Sequence, residues 1–127
     1  MAVTENKYQY LFPFEKVPMG SNIIIYGAGI VGMEYLQQVL TTGYCNVVAM
    51  IDANAKEYSS VVVPVYPPDS IHTLKFERAV VALRGTAYFE EIKRNLLVQG
   101  VLEEYIVFVQ RNPKAYDLLR DTKEECA

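Results

Sequence analysis

The sequence predicts an α/β fold, a three-layer sandwich around a mostly parallel sheet of about five strands. Three observations predict it. Short apolar runs alternate along the chain with segments of helical periodicity. These runs are apolar at successive positions, as strands are when helices cover both faces of a parallel sheet. The first run ends in a glycine-rich turn, Gly27-Ala28-Gly29-Ile30-Val31-Gly32, which opens a helix.

The elements follow in order. Residues 1–21 form an arm rich in aromatics. Tyr8, Tyr10, Leu11, Phe12, Phe14 and Val17 cluster there, and Pro13 and Pro18 break any helix. Such a segment is expected to dock on the domain or on a partner subunit. Residues 22–26 make a buried, β-branched strand. A helix follows over residues 30–42, with Gly32, Leu36, Val39 and Leu40 on one face and Gly43 as its stop. Residues 46–51 make a second strand, closed by Asp52. Residues 53–60 are turn-like. Residues 61–66 make a short third strand, and Pro64 places it at a sheet edge.

Pro67-Pro68-Asp69 starts a short helix through Leu74, capped near Asp69 or Ser70. Residues 79–83 make the fourth strand, and Arg84-Gly85-Thr86 its turn. Thr86 is placed to cap a helix to about Gln99, with Phe89, Ile92 and Leu96 on one face and Gly100 as terminator. Residues 105–109 make the fifth strand. Asn112 and Pro113 fit the start of a last helix over 112–125, with Ala115, Leu118, Leu119 and Thr122 on one side. Residues 1–127 thus read as one domain: the arm, a core over 22–109 and a C-terminal helix. Numbering the strands from residues 22–26, the expected sheet order is 3-2-1-4-5.

Twelve basic and fifteen acidic residues give a net charge of -3. There is no Lys/Arg cluster to meet a phosphate backbone, which argues against a nucleic-acid partner. Cys45 and Cys126 lie far apart, with no CxxC and no Cys/His metal spacing, so two reduced thiols and no metal are expected. Glu5 and Lys7 interrupt any signal peptide. The longest nearly apolar run, residues 23–33, is too short to span a bilayer and holds three glycines. The expectation is a cytoplasmic protein with no membrane partner.

The glycine turn has a chemistry of its own. Gly27 lets the chain turn tightly at the strand end. Gly29 lets a pyrophosphate approach the backbone. Gly32 lets the helix lie close to the strand. The helix start then offers unpaired N–H groups and partial positive charge to an anion. Asp52 closes the next strand, twenty residues after Gly32, where a ribose hydroxyl acceptor is expected. Strand, glycine turn, helix and acid together define a Rossmann-like nucleotide loop. The candidate nucleotide-binding residues are therefore Gly27, Ala28, Gly29, Ile30, Val31, Gly32 and Asp52. With no arginine beside Asp52, NAD fits better than NADP. S-adenosylmethionine fits less well, because Ile25 and Tyr26 stand where its proteins usually carry an acid. The opposing reading is that the glycines serve only turning and packing, and that Asp52 merely starts a turn.

Arg84 ends the fourth strand, where α/β ligands bind, and is a further candidate for a phosphate or carboxylate. A solvated arginine is the alternative. Tyr26, Thr86 and Tyr88 lie near the same edge. His72 is the only histidine and has no Ser or Cys partner for a triad, so it is read as solvent-facing. Glu90-Glu91 and Glu103-Glu104 read as solvated faces, since sequence neighbours diverge on a helix. No tyrosine is followed by Lys in a Tyr-x-x-x-Lys pattern. No catalytic residue is assigned.

Residues 16–32, residues 43–52 and the Val-Pro-Val-Tyr-Pro-Pro-Asp-Ser-Ile run at 63–71 together resemble a known group. They are similar to the Rossmann-like N-terminal domains of bacterial surface-polysaccharide proteins. These include capsular nucleotide-sugar dehydratases and epimerases, sugar acyltransferases and glycosyltransferase-associated domains. The resemblance covers about residues 16–109. It implies a nucleotide or nucleotide-sugar ligand on Gly27, Gly29, Gly32 and Asp52. The sequence departs from full-length members in lacking a second catalytic domain and a hexapeptide repeat. The expected function is a nucleotide-binding domain for NAD(H) or a nucleotide sugar, not catalytic alone, in sugar or cell-surface polysaccharide metabolism. Its expected partners are a nucleotide ligand and either a second copy of the chain or a catalytic domain. The alternatives are an interaction domain that binds no nucleotide, or part of a larger nucleotide-sugar oxidoreductase or dehydratase.

Overall fold

The computed structural model describes residues 7–58, 61–110 and 116–117. In chain order its strands are β1 (Lys7–Tyr8), β2 (Asn22–Tyr26), β3 (Asn46–Ile51), β4 (Val65–Tyr66), β5 (Arg78–Val81), β6 (Ile106–Val107) and β7 (Tyr116–Asp117). Its α-helices are α1 (Ile30–Thr42) and α2 (Phe89–Val98). Strands β2 to β6 form one all-parallel sheet in the order β4-β3-β2-β5-β6. Counted from β2 this is the predicted order 3-2-1-4-5, and the fold is Rossmann-like.

The elements with strong local signals stand where the sequence puts them. β2, α1 and β3 have the predicted bounds. Gly43 ends α1 with φ 66° and donates its N–H to the Val39 carbonyl at 2.8 Å. Leu40 departs from its predicted face: Gly32, Leu36 and Val39 are buried, but Leu40 turns half out to solvent.

The later strands are shorter than predicted. Of residues 61–66 only Val65–Tyr66 pair, at the sheet edge. Pro64 has no N–H to give, and joins the ladder only by accepting the Met50 N–H at 2.9 Å. β5 starts one residue early and stops at Val81, and β6 follows a 3-10 turn at Glu103–Tyr105. Thr86 does not cap α2. The helix begins at Phe89 with Tyr88 as N-cap, and the Thr86 carbonyl only accepts the Phe89 N–H. The helix at Pro68–Thr73 is 3-10, with Pro67 as its cap instead of Asp69 or Ser70. Ser70 Oγ instead donates to the Pro67 carbonyl. Most of the predicted helix over 112–125 lies outside the described residues. Tyr116 and Asp117, which are described, are strand and pair antiparallel with Tyr8 and Lys7.

Alternation along β2 divides the core. Ile23 and Ile25 face α1, while Ile24 and Tyr26 face α2. On the α1 face the arm completes the cover. Leu11, Phe12, Phe14 and Val17 are buried there with Val31, Leu36 and Val39. Phe12 meets Phe14 and Tyr35 edge-on, with ring centres 5.0 and 5.4 Å away. Buried Gln38 clamps the arm to α1: its Oε1 accepts the Phe12 N–H at 2.9 Å, and its Nε2 donates to the Tyr10 carbonyl at 2.7 Å. Glu34 accepts the N–H groups of Gln9 and Tyr10. Leu11, Phe12, Phe14 and Val17 are thus covered within the chain, and Tyr8 and Tyr10 pack partly buried against the same core. Among the described residues no helix is long and apolar enough to cross a membrane.

Phe12→Ala should therefore lower the unfolding free energy by about 3–5 kcal/mol in a urea titration. A loss below about 1 kcal/mol would mean that the arm does not ride on the core.

Candidate functional site

Strand β2 is where the chain changes direction across the sheet. Its helix α1 leads one way, to β3; the return from β4 brings β5 to its other side. The connections leaving the C-terminal ends of these strands part there and leave a cleft of about 500 Å³. Tyr26 and Gly27 form its floor, and Ile51, Asp52 and Ala53 one wall. The α2 wall carries Tyr88, Glu91, Ile92 and Asn95.

Two of the three loop glycines are required by packing. Gly27 has φ +116°, and a Cβ there would lie 2.7 Å from the Ala82 carbonyl oxygen. A Cβ on Gly32 would lie 1.8 Å from the Gly27 carbonyl oxygen, so only glycine lets α1 seat this close. Gly29 differs. Its φ is -80°, and an added Cβ would meet nothing within 4 Å.

Gly29 is the N-cap of α1, and it has no side chain to cap the helix. The first helical bond runs from the Met33 N–H to the Gly29 carbonyl at 2.9 Å. The N–H groups of Ile30, Val31 and Gly32 therefore have no intrahelical partner, and the positive end of the helix dipole lies at the loop. Asp52 ties the loop to β3. Its Oδ2 accepts the Ala28 N–H at 2.9 Å, and its Oδ1 accepts the Asn54 N–H at 2.9 Å. The carboxylate is thus held at the cleft wall, with lone pairs left over for a hydroxyl donor.

The electrostatics of the cleft are one-sided. Asp52 and Glu91 line it, and among the described residues no Lys, Arg or His does. The Tyr26 hydroxyl accepts a hydrogen bond from Asn95 Nδ2 at 3.1 Å. Burial raises the Tyr26 pKa, and Glu91 and Asp52 push the same way against the opposing effect of that hydrogen bond. The phenol stays protonated and neutral at physiological pH.

The predicted site residues divide. Gly27 and Asp52 line the cleft. Ala28, Val31 and Gly32 are buried, so they meet a ligand only through backbone. Gly29 and Ile30 are exposed at the start of α1. Arg84 is exposed and outside the cleft lining, as is Thr86. His72 is exposed, with its Nδ1 3.0 Å from Gln99 Oε1. Glu91, Ile92 and Asn95 were missed. The available signal was a polar Asn95 beside the inward stripe of Phe89, Ile92 and Leu96. Cys45 is half-buried, and burial pushes its thiol up to about 11, which keeps it protonated at neutral pH. Among the described residues no group of three or more His, Cys, Asp or Glu is placed to hold a metal ion. A second cavity, of about 440 Å³, opens at the opposite end of β5 and β6, away from the loop.

Parallel sheet, close-packed glycine turn and acid at the neighbouring strand end define the class: a Rossmann-like α/β domain. The chain belongs to the C2185-like, N-terminal family, whose pattern matches residues 19–107. No curated protein matches it in sequence. Among solved structures it is similar to RSP, a Rex-family repressor, with a TM-score of 0.58 and 13% identity over 85% of this chain and 57% of that one. The chain thus spans little more than half the length of RSP. It is also similar to UDP-D-quinovosamine 4-dehydrogenase from Vibrio fischeri, with a TM-score of 0.60 and 17% identity over 79% of this chain and 98% of that one. A further structure of RSP, in complex with β-NAD+ and operator DNA, matches with a TM-score of 0.55 and 14% identity, over 84% of this chain and 55% of that one. At these identities the likeness is one of fold.

The glycine geometry makes a paired prediction. Gly32→Ala should unfold at markedly lower temperature or fail to fold, because backbone must move by more than an ångström. Gly29→Ala should melt within about 1 kcal/mol of the parent. Equal melting of the two variants would contradict the packing described.

Proposed function

We propose that the chain is a nucleotide-binding domain for NAD(H) or a nucleotide sugar, serving sugar or cell-surface polysaccharide metabolism and not catalytic on its own. One observation carries the reading: the Asp52 carboxylate is fixed beside Gly27 in the cleft, one loop away from the open first turn of α1. That pairing suits a phosphorylated ribose. Phosphate oxygens meet the N–H groups of the first turn, and ribose hydroxyls donate to Asp52. Gly29 supports it further. Neither packing nor φ demands glycine there, and close approach of a phosphate to the backbone does. The cleft volume lies within the usual range for small-molecule sites.

The same electrostatics disfavour NADP. A 2′-phosphate would face Asp52 with no cation among the described lining residues to receive it. Two solved relatives in fold fit the choice of ligand class: RSP was crystallised with β-NAD+, and the Vibrio fischeri protein is named for a UDP-sugar. The binding-only role rests on the sequence, which has no Tyr-x-x-x-Lys pattern and no triad around its single histidine.

Thermal unfolding tests this directly. NAD+ or a UDP-sugar at a hundred times its dissociation constant should add about 2.7 kcal/mol of stability, and NADP+ much less. Gly29→Asp should keep the parent's melting temperature without ligand and lose the shift with it, since it sets bulk and negative charge where phosphate lies. No shift of the parent with any of these nucleotides would sink the reading.

A further inference from the structure

A chain of amides, its donor directions fixed from the backbone, runs along α2 and ends at Asn95 in the wall of the cleft. It starts at the 3-10 turn Pro68–Thr73. The His72 N–H can only donate, and it meets Gln99 Oε1 at 2.9 Å. The Pro68 carbonyl can only accept, and it takes a hydrogen from Gln99 Nε2. These two backbone groups set the orientation of the Gln99 amide. His72 Nδ1, 3.0 Å from the same Oε1, is accordingly the protonated ring nitrogen.

The order then passes inward. The second hydrogen of Gln99 Nε2 faces Asn95 Oδ1 at 3.3 Å. Asn95 therefore turns its Nδ2 towards Tyr26 and donates to the phenol oxygen at 3.1 Å. The phenol oxygen is an acceptor in this contact, so its own hydrogen is free to point elsewhere. Among the described residues no acceptor takes it. Tyr26 is almost fully buried and lines the cleft, as do Asn95 and, one helical turn back, Glu91.

The place of these groups decides what they meet. This step rests on the nucleotide reading above. The first turn of α1, which takes phosphate, belongs to one face of the sheet; Tyr26 and α2 belong to the other. Asp52 lies between, at the strand end. A ribose on Asp52 with its phosphate at α1 directs its base away from α1, into the same cleft, towards Tyr26.

We infer that Tyr26 is a specificity-determining donor that reads an acceptor atom of the nucleobase, with Glu91 accepting from a neighbouring N–H of that base and Asn95 and Gln99 holding the donor in direction. The ligand class is a base that sets an acceptor beside an N–H donor. Adenine of a dinucleotide and uracil of a sugar nucleotide both meet it, and the two probes below distinguish them.

The experiment is calorimetric titration of the full chain with NADH and, separately, UDP-glucose, beside ribose 5-phosphate as a probe without a base. Two variants are used: Tyr26→Phe removes the donor, and Asn95→Asp reverses it, since a carboxylate draws the phenol hydrogen away from the cleft. Both variants are melted without ligand, and binding is compared at temperatures where each is folded. For whichever nucleotide the parent binds, each variant should weaken binding about three- to tenfold. Ribose 5-phosphate affinity should stay unchanged. Parent binding that both variants leave intact overturns the inference while the nucleotide reading stands. Equal weakening of ribose 5-phosphate also overturns it, because the effect is then on the cleft as a whole. A parent that binds neither nucleotide overturns both readings together.

Discussion

The seating of α1 on the carbonyl of Gly27 is the contact on which the rest of the structure depends. A hydrogen at Gly32 fits there, and a methyl group 1.8 Å from oxygen does not. That close approach brings the start of the helix to the end of β2. It places the Ala28 N–H where the Asp52 carboxylate takes it at 2.9 Å. Loop, helix and the end of β3 are thereby tied together. The positive end of α1 and the negative carboxylate then stand on either side of Gly27, an arrangement suited to the proposed ligand, which offers both an anion and a hydroxyl.

The two faces of the sheet are closed by different means. On the α2 face the 3-10 turn at Pro68–Thr73 and α2 itself bury Ile71 and Leu96. On the α1 face a single helix is too narrow, and the arm supplies the missing cover with Phe12 and Phe14. An irregular segment can be buried only if its backbone polar groups find partners. Gln38 and Glu34 meet that need for Gln9, Tyr10 and Phe12, and the Tyr44 hydroxyl lies 2.9 and 2.7 Å from the Phe14 and Val17 carbonyl oxygens. The aromatic composition of the arm and the polar side chains on one edge of α1 are therefore two halves of one solution.

This division also explains what the sequence revealed. The unit from β2 to β3 was legible to the residue, because each of its signals is local: an apolar run, a glycine turn, a left-handed stop at Gly43. The sheet order followed from the alternation of strands and helices. The ends of β4, β5 and β6 were not legible, because pairing with a neighbour sets them, and Pro64 or a 3-10 turn cuts them short. The strand at Tyr116–Asp117 was hidden for the same reason: its partner lies at the other end of the chain. In the cleft, the place of Asp52 beside the loop followed from its spacing from the glycines. The link from Gln99 through Asn95 to Tyr26 joins residues far apart in sequence, and no spacing rule marks it.

The central claim is that the glycine loop and the strand ends beside it are a nucleotide site. Amide chemical shifts of the isotopically labelled chain, followed by nuclear magnetic resonance as NAD+ or UDP-glucose is added, test it most directly. The account predicts that the amides of Gly29, Ile30, Val31, Gly32 and Ala53 move together with one of these ligands, while those of Leu11, Phe12 and Phe14 stay still. Saturating amounts of both ligands that leave the loop amides unmoved, or that move only residues outside the cleft, would contradict it.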